Sequence, residues 1–231
     1  MRILQIIPQS RIGGAESVGF LLAAEEARRG HPTLLLSNRA NGPLLERPRP
    51  PDMEVAALKR SSRLDARILP FLLKRAARFR PDVIHAHTET ANFWARLVGL
   101  AHPRAAVLCH VHSSRFVGRR VRGIRTDRLL AGRADAVLTV NEIQRDFLQN
   151  HVGVRPERLH VVPNGVDTDR FAPPPGMRQP HAAVCVASLT DVKNHAGLLR
   201  AWGRVAAAFP DARLTLVGDG PLRESLERQA T

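Results

Sequence analysis

The chain is poor in cysteine, aromatic side chains and lysine, and each shortage removes a class of protein. Only Cys109 and Cys185 carry thiols. They lie far apart in apolar runs and form no CxxC pair, which reads as two buried reduced thiols and excludes a disulfide framework or a thiolate metal site. Phe and Trp make up 4% of the residues, and tyrosine is absent. No RNP-like or helix-turn-helix signature interleaves with the arginines, so nucleic acid is not expected as a partner. No apolar run approaches the roughly 20 residues that span a bilayer, and the Met1–Pro8 segment is shorter than a secretory leader. A cytoplasmic protein is expected.

What is abundant is positive charge. Lys and Arg number 35 against 21 Asp and Glu, for a net +14. Residues 1–163 hold 27 of the cations against 14 acids, while residues 164–231 hold 8 against 7. A cationic first part and a nearly neutral second part favour phosphate-bearing partners or an anionic membrane surface. The competing reading is a solvated arginine surface set by codon bias, since Arg outnumbers Lys 32 to 3.

Strand and helix patterns alternate along the chain. Strands are predicted at 3–7, 33–36, 53–58, 83–86, 105–111, 136–140 and 159–162, with helices at 15–29, 64–79, 91–100 and 142–150. Asn141 and Gln144 have the spacing of a capping box for the last of these. Such alternation specifies an α/β doubly wound parallel sheet. The turn Pro163-Asn164-Gly165 and the run Pro173-Pro174-Pro175 then separate this part from strands at 183–187 and 213–217 and helices at 194–209 and 221–229. The expected organisation is a domain at 1–163, a linker at 164–181 and a partial second domain at 182–231. One βαβ unit plus a helix is marginal alone.

Ligands in parallel sheets bind at the carboxyl ends of strands. The first such loop sets Gly13-Gly14 before a helix, where backbone N–H groups can meet a phosphate, although it is neither GxGxxG nor a P-loop and could be a plain strand–helix turn. His85, His87, His110 and His112 end two strands. Without carboxylate or thiolate at ligand spacing, they read as lining a polar cleft and exchanging protons near neutral pH rather than as holding zinc. Lys193 closes a strand–loop–helix segment beside Ser188 and is either a phosphate-holding point charge or a surface lysine. Gly218 and Gly220 read as serving backbone geometry. Asp167-Thr168-Asp169 matches a metal-holding DxD but sits in the interdomain turn, and prolines prevent Glu46 and Glu54 from sharing a helix.

Seven segments in this order resemble the family 4 retaining glycosyltransferases of GT-B architecture. They are Gly13-Gly14-Ala15-Glu16, Asp82–His87, the strand ending at His112, Thr139–Glu142, Val162–Asp167 with Phe171, Val186–Asn194 and Leu216–Leu222. The resemblance implies two Rossmann-like domains facing a cleft, the acceptor held by the first and a nucleotide-diphosphate sugar mainly by the second. It implies that Gly13 and Gly14 approach the donor diphosphate and that His112 sits at the reaction centre. Lys193 would pair with the diphosphate and stabilise the leaving group. No metal or other cofactor is implied, because protein cations neutralise the pyrophosphate. Ser188 stands where the family usually has Arg, so one donor-binding cation is absent. The family's Glu-x7-Glu segment would fall beyond Thr231, so a truncated donor side is expected. The acceptor is expected to be a glycan or a lipid-linked molecule. Seven arginines and one aspartate between Arg115 and Arg133 give Arg115, Arg119, Arg120 and Arg122, with His87, as candidate contacts to that acceptor or to the inner face of the membrane. The alternative is a non-catalytic module that binds a polyanionic acceptor, a membrane surface or a partner chain.

Overall fold

The computed structural model describes residues 1–59, 65–112, 128–172 and 181–230. The chain divides into two compact units, Met1–Val166 and Asp167–Thr231, each described here by itself.

In the first unit, strands β1 (Ile3–Ile7) and β2 (Thr33–Ser37) are buried at every position, as continuous apolar runs covered on both faces must be. With β3 (Met53–Ala57), β4 (Val83–His87), β5 (Ala106–Val111), β6 (Ala136–Thr139) and β7 (Leu159–Val161) they form a seven-stranded sheet ordered β3-β2-β1-β4-β5-β6-β7. All its pairings are parallel. This is the doubly wound α/β fold expected. Strand order reverses at β1, which pairs with β2 on one side and β4 on the other, and that is where ligand crevices open.

Successive side chains alternate across the sheet. Leu4, Ile6, Leu34 and Leu36 pack on one face with Leu72 and Phe79 of helix α2 (Ile68–Phe79) and Val98 of α3 (Thr88–Ala101). Ile7 and Leu35 pack on the other with Phe20, Ala23, Ala24 and Ala27 of α1 (Gly14–Arg28). Helix α4 (Glu142–Phe147) opens on the predicted cap: Asn141 Oδ1 accepts from Gln144 N at 2.9 Å. The return bond differs from the expected box, because Gln144 Oε1 accepts from Val140 N, one residue earlier than the cap, at 3.1 Å.

Several predicted bounds move. Helix α2 begins at Ile68, and the predicted start at Leu64 lies outside the described residues. Helix α3 begins at Thr88 directly after β4, three residues before the predicted Ala91, with Thr88 held at φ 74°. The helix predicted to end at Asn150 passes instead into a π turn, Leu148–Val152. Cys109 is a buried thiol outside any disulfide, as expected, whereas Cys185 is likewise outside any disulfide but only half-buried.

The second unit holds the parallel strands β8 (Ala182–Val186) and β9 (Arg213–Val217), with α5 (His195–Ala208) and α6 (Arg223–Ala230). One face of β8 is bare: Val184 and Val186 are 65% and 76% exposed. The glycines after β9 answer to the backbone, as read from the sequence. A Cβ on Gly218 would lie 1.9 Å from Ala187 O, beside the bond from Ala187 N to Val217 O.

Candidate active site

Sheet register assembles the candidate site. It sets Gln5 beside His85 and His87 beside His110. His112 follows β5 by one residue, so alternation returns it to the same face. The four rings form one cluster, with centroids 3.9 Å apart for His110 and His112, 4.5 Å for His85 and His87, and 5.1 Å for His87 and His112. His87 is fully buried. Its Nδ1 lies 2.9 Å from His112 Nε2, and its Nε2 lies 2.8 Å from Gln5 Oε1. Gln5 Nε2 donates to both oxygens of Glu26 on α1 at 2.8 and 3.0 Å and stands 3.2 Å from His85 Nδ1. Helix α1 lies so close to His87 that a Cβ on Gly19 would come within 3.0 Å of the ring.

The expectation of proton exchange near neutral pH is corrected here. Burial, then the charge of His112, holds His85 down to about 4. Burial likewise holds His110 to about 3 and His112 to about 4, the Asn164 side chain acting on His112 in the opposite direction. His87 is pushed well below its ordinary value, chiefly by burial and then by its neighbouring imidazoles. The carboxyl of Glu26 is raised by burial and held back by the Gln5 amide. All four rings are therefore neutral at pH 7.

Neutral imidazoles are metal ligands, and His85, His87 and His110 each bring a nitrogen within 4.8 Å of the others. Two facts oppose an ion. Tetrahedral zinc at about 2.0–2.1 Å from each nitrogen needs a tighter cluster, and both nitrogens of His87 are already committed to Gln5 and His112.

Beside the histidines, the β1 loop leads into α1. Gly13 is its cap in extended backbone, and a Cβ there would meet Glu16 Oε2 at 2.4 Å. Glu16 itself accepts from Gln9 Nε2 at 2.9 Å. Gly14, the first helical residue, would place a Cβ within 4 Å of no neighbouring atom among the described residues. The helix N-terminus is thus open at Gly14 and closed by a carboxylate over Gly13.

The family model of Glycosyltransferase Family 4 matches residues 12–170, nearly all of this unit. The chain belongs to that family. EpsF of Bacillus subtilis is 30% identical over 168 residues, covering 64% of this chain and 43% of that protein. The GDP-mannose-dependent alpha-(1-6)-phosphatidylinositol monomannoside mannosyltransferase of Mycolicibacterium smegmatis is 33% identical over 114 residues, 45% of this chain and 30% of that one. Among solved structures, Anabaena HepE in complex with UDP and glucose superposes with a TM-score of 0.79 at 20% identity, covering 99% of this chain and 65% of HepE. That likeness shows the GT-B fold. The chain spans under half the length of both curated relatives.

Of the site residues read from the sequence, His87 and His112 are in direct contact, and Gly13 and Gly14 follow the adjacent strand β1. Ser188 and Lys193 both lie on the second unit, exposed, between β8 and α5. Lys193 ends a short 3-10 turn, Asp191–Lys193, and pairs with no carboxylate among the described residues. Arg115, Arg119, Arg120 and Arg122 lie outside the described residues. The DxD resolves as a turn: Asp167 Oδ1 accepts from the backbone N of Asp169 and Arg170 at 3.1 and 3.0 Å. Glu46 ends a 3-10 turn and Glu54 lies on β3, so they share no helix. The sequence reading missed Gln5 and Glu26. A lone amide inside a fully buried strand was the signal for the first.

Proposed function

We propose that this chain is the acceptor-side domain and part of the donor-side domain of a retaining glycosyltransferase. It moves a sugar from a nucleotide diphosphate to a glycan or lipid-linked acceptor. Membership of Glycosyltransferase Family 4 over residues 12–170 supports this reading, as do the names of its relatives. The observation that carries it is Gly14: the first residue of a helix at the carboxyl edge of the sheet, beside the strand-order reversal, where an added Cβ would meet no atom of the described residues within 4 Å. Such an end offers N–H groups and a partial positive charge to a phosphate.

In this reading the first unit offers the Gly13-Gly14 backbone to a phosphate and holds His112 for the sugar and the acceptor, and the second unit offers the ammonium of Lys193 to a diphosphate. As the glycosidic bond to the diphosphate breaks, negative charge grows on the leaving oxygen. Lys193, exposed and paired with no carboxylate among the described residues, is read as the group that stabilises it, so no metal is required. The Ser188 hydroxyl replaces a cation and gives a weaker contact than Arg would. The basic stretch holding Arg115, Arg119, Arg120 and Arg122 contacts an anionic acceptor or membrane surface. Among the described residues no helix is long and apolar enough to cross a membrane.

Calorimetry with UDP and with GDP tests the donor site, with Lys193→Ala as control. Binding of one nucleotide that weakens at least tenfold in the variant supports the reading. Absence of binding to the unsubstituted chain refutes a donor site here and favours a non-catalytic module for polyanions.

A further inference from the structure

We propose that Glu26, Gln5 and His87 form a relay that keeps the proton of His112 on Nε2, so that this ring meets its ligand through the Nδ1 lone pair and recognises a hydroxyl group rather than a phosphate oxygen. The inference rests on the reading of His112 as the side chain at the reaction centre.

The proton positions follow from one end of the series. An amide nitrogen only donates hydrogen bonds, so both Glu26 oxygens accept from Gln5. Both oxygens of Glu26 contact Gln5 Nε2, at 2.8 and 3.0 Å, which fixes the amide with nitrogen toward α1 and oxygen toward β4. Gln5 Oε1 can only accept, so the 2.8 Å contact requires a proton on His87 Nε2. His87 is neutral and carries one ring proton, which leaves its Nδ1 as a lone pair. The 2.9 Å contact between that atom and His112 Nε2 is therefore donated by His112. A neutral His112 whose proton is on Nε2 has only an acceptor left, at Nδ1.

That atom is buried and has no hydrogen-bond partner among the described residues, while the exposed Asn164 side chain acts on the ring to favour its charged form. A phosphate oxygen also accepts and would find no proton there, whereas a sugar hydroxyl donates. Helix α1 holds the relay in register. Glu26 is on it, and its Gly19 lets the helix close against the His87 ring. The second hydrogen of Gln5 Nε2 faces His85 Nδ1 at 3.2 Å, so His85 carries its proton on Nε2 and offers no lone pair there to an ion.

Nitrogen-15 NMR of the whole chain at pH 7 reads these protons directly. The expected result is a proton bonded to His112 Nε2, with scalar coupling across the N–H···N bond to His87 Nδ1 and an unprotonated His112 Nδ1. A proton found on His87 Nδ1 overturns the relay in the unsubstituted chain alone. Glu26→Gln keeps the shape but lets the two amides exchange roles. The bridging proton then populates both rings while the thermal midpoint stays in place, and an unchanged proton position refutes the relay. Titration with inorganic phosphate leaves His112 Nδ1 unprotonated; a proton gained there refutes the hydroxyl assignment. Failure of UDP and GDP to bind would sink the transferase reading and leave the proton assignment standing.

Discussion

Replacing Gly14 with alanine separates what the fold needs from what a ligand needs. Gly14 is the first residue of α1 and is absent from the positive-φ residues, so its backbone suits any amino acid. A Cβ there meets no atom of the described residues within 4 Å. Alanine in place of glycine in a helix stabilises by roughly 0.5–1 kcal/mol. At the first helical position the lower figure applies, and for a chain of this size that is a rise in Tm of about 1–2 °C. The same methyl group stands where a diphosphate would approach the backbone N–H groups. Gly14→Ala is therefore expected to melt slightly higher than the unsubstituted chain and to bind UDP or GDP at least tenfold more weakly, about 1.4 kcal/mol. Scanning calorimetry and titration calorimetry on one preparation give both numbers. Nucleotide affinity unchanged in Gly14→Ala would refute the phosphate role of this loop. A fall in Tm would refute the reading of the space as empty. Gly13 serves as contrast, because a Cβ there displaces the Glu16 carboxylate from 2.4 Å.

Three further outcomes are expected. His85, held to about 4 against an ordinary value near 6.5, stays neutral in the folded chain while its unfolded form takes up a proton. Stability is thus flat above pH 6.5 and falls as pH drops toward 4, by about 2 kcal/mol at pH 5 from this residue alone; equal urea midpoints at pH 7 and pH 5 would contradict it. Asn141→Ala removes the cap of α4, whose Oδ1 accepts from Gln144 N at 2.9 Å, and should cost about 1 kcal/mol in urea unfolding. Thr88, a β-branched residue at φ 74°, is strained; Thr88→Gly should relieve about 1–2 kcal/mol of strain against a smaller entropic loss, and a lower urea midpoint would show that the strain is absent.

The fold was legible because its signals are local. The fully buried runs Ile3–Ile7 and Thr33–Ser37 announce parallel strands by composition alone, and Asn141 with Gln144 announces a helix start by spacing. The site was legible only in part. Its glycines and histidines sit at predicted strand ends, but their protonation was misread, since the sequence shows four imidazoles and not the depth at which they lie. Helix α3 was begun late because Thr88 and Thr90 weaken helical propensity, whereas the chain turns immediately after His87 to cover the sheet.

The amino-acid sequence by itself determined the alternation of strands and helices, the place of each candidate residue at a strand end, and the family. Propensity, periodicity and turn chemistry act over a few residues, so one dimension suffices to read them. Only the tertiary structure decided that β1 lies between β2 and β4, and with that the contact of Gln5 with His87, which are 82 positions apart in the chain. It also brought Glu26 of α1 onto Gln5. Strand order and register come from burying both faces of a sheet at once, a condition no local segment carries, and the protons of the histidine cluster follow from that packing.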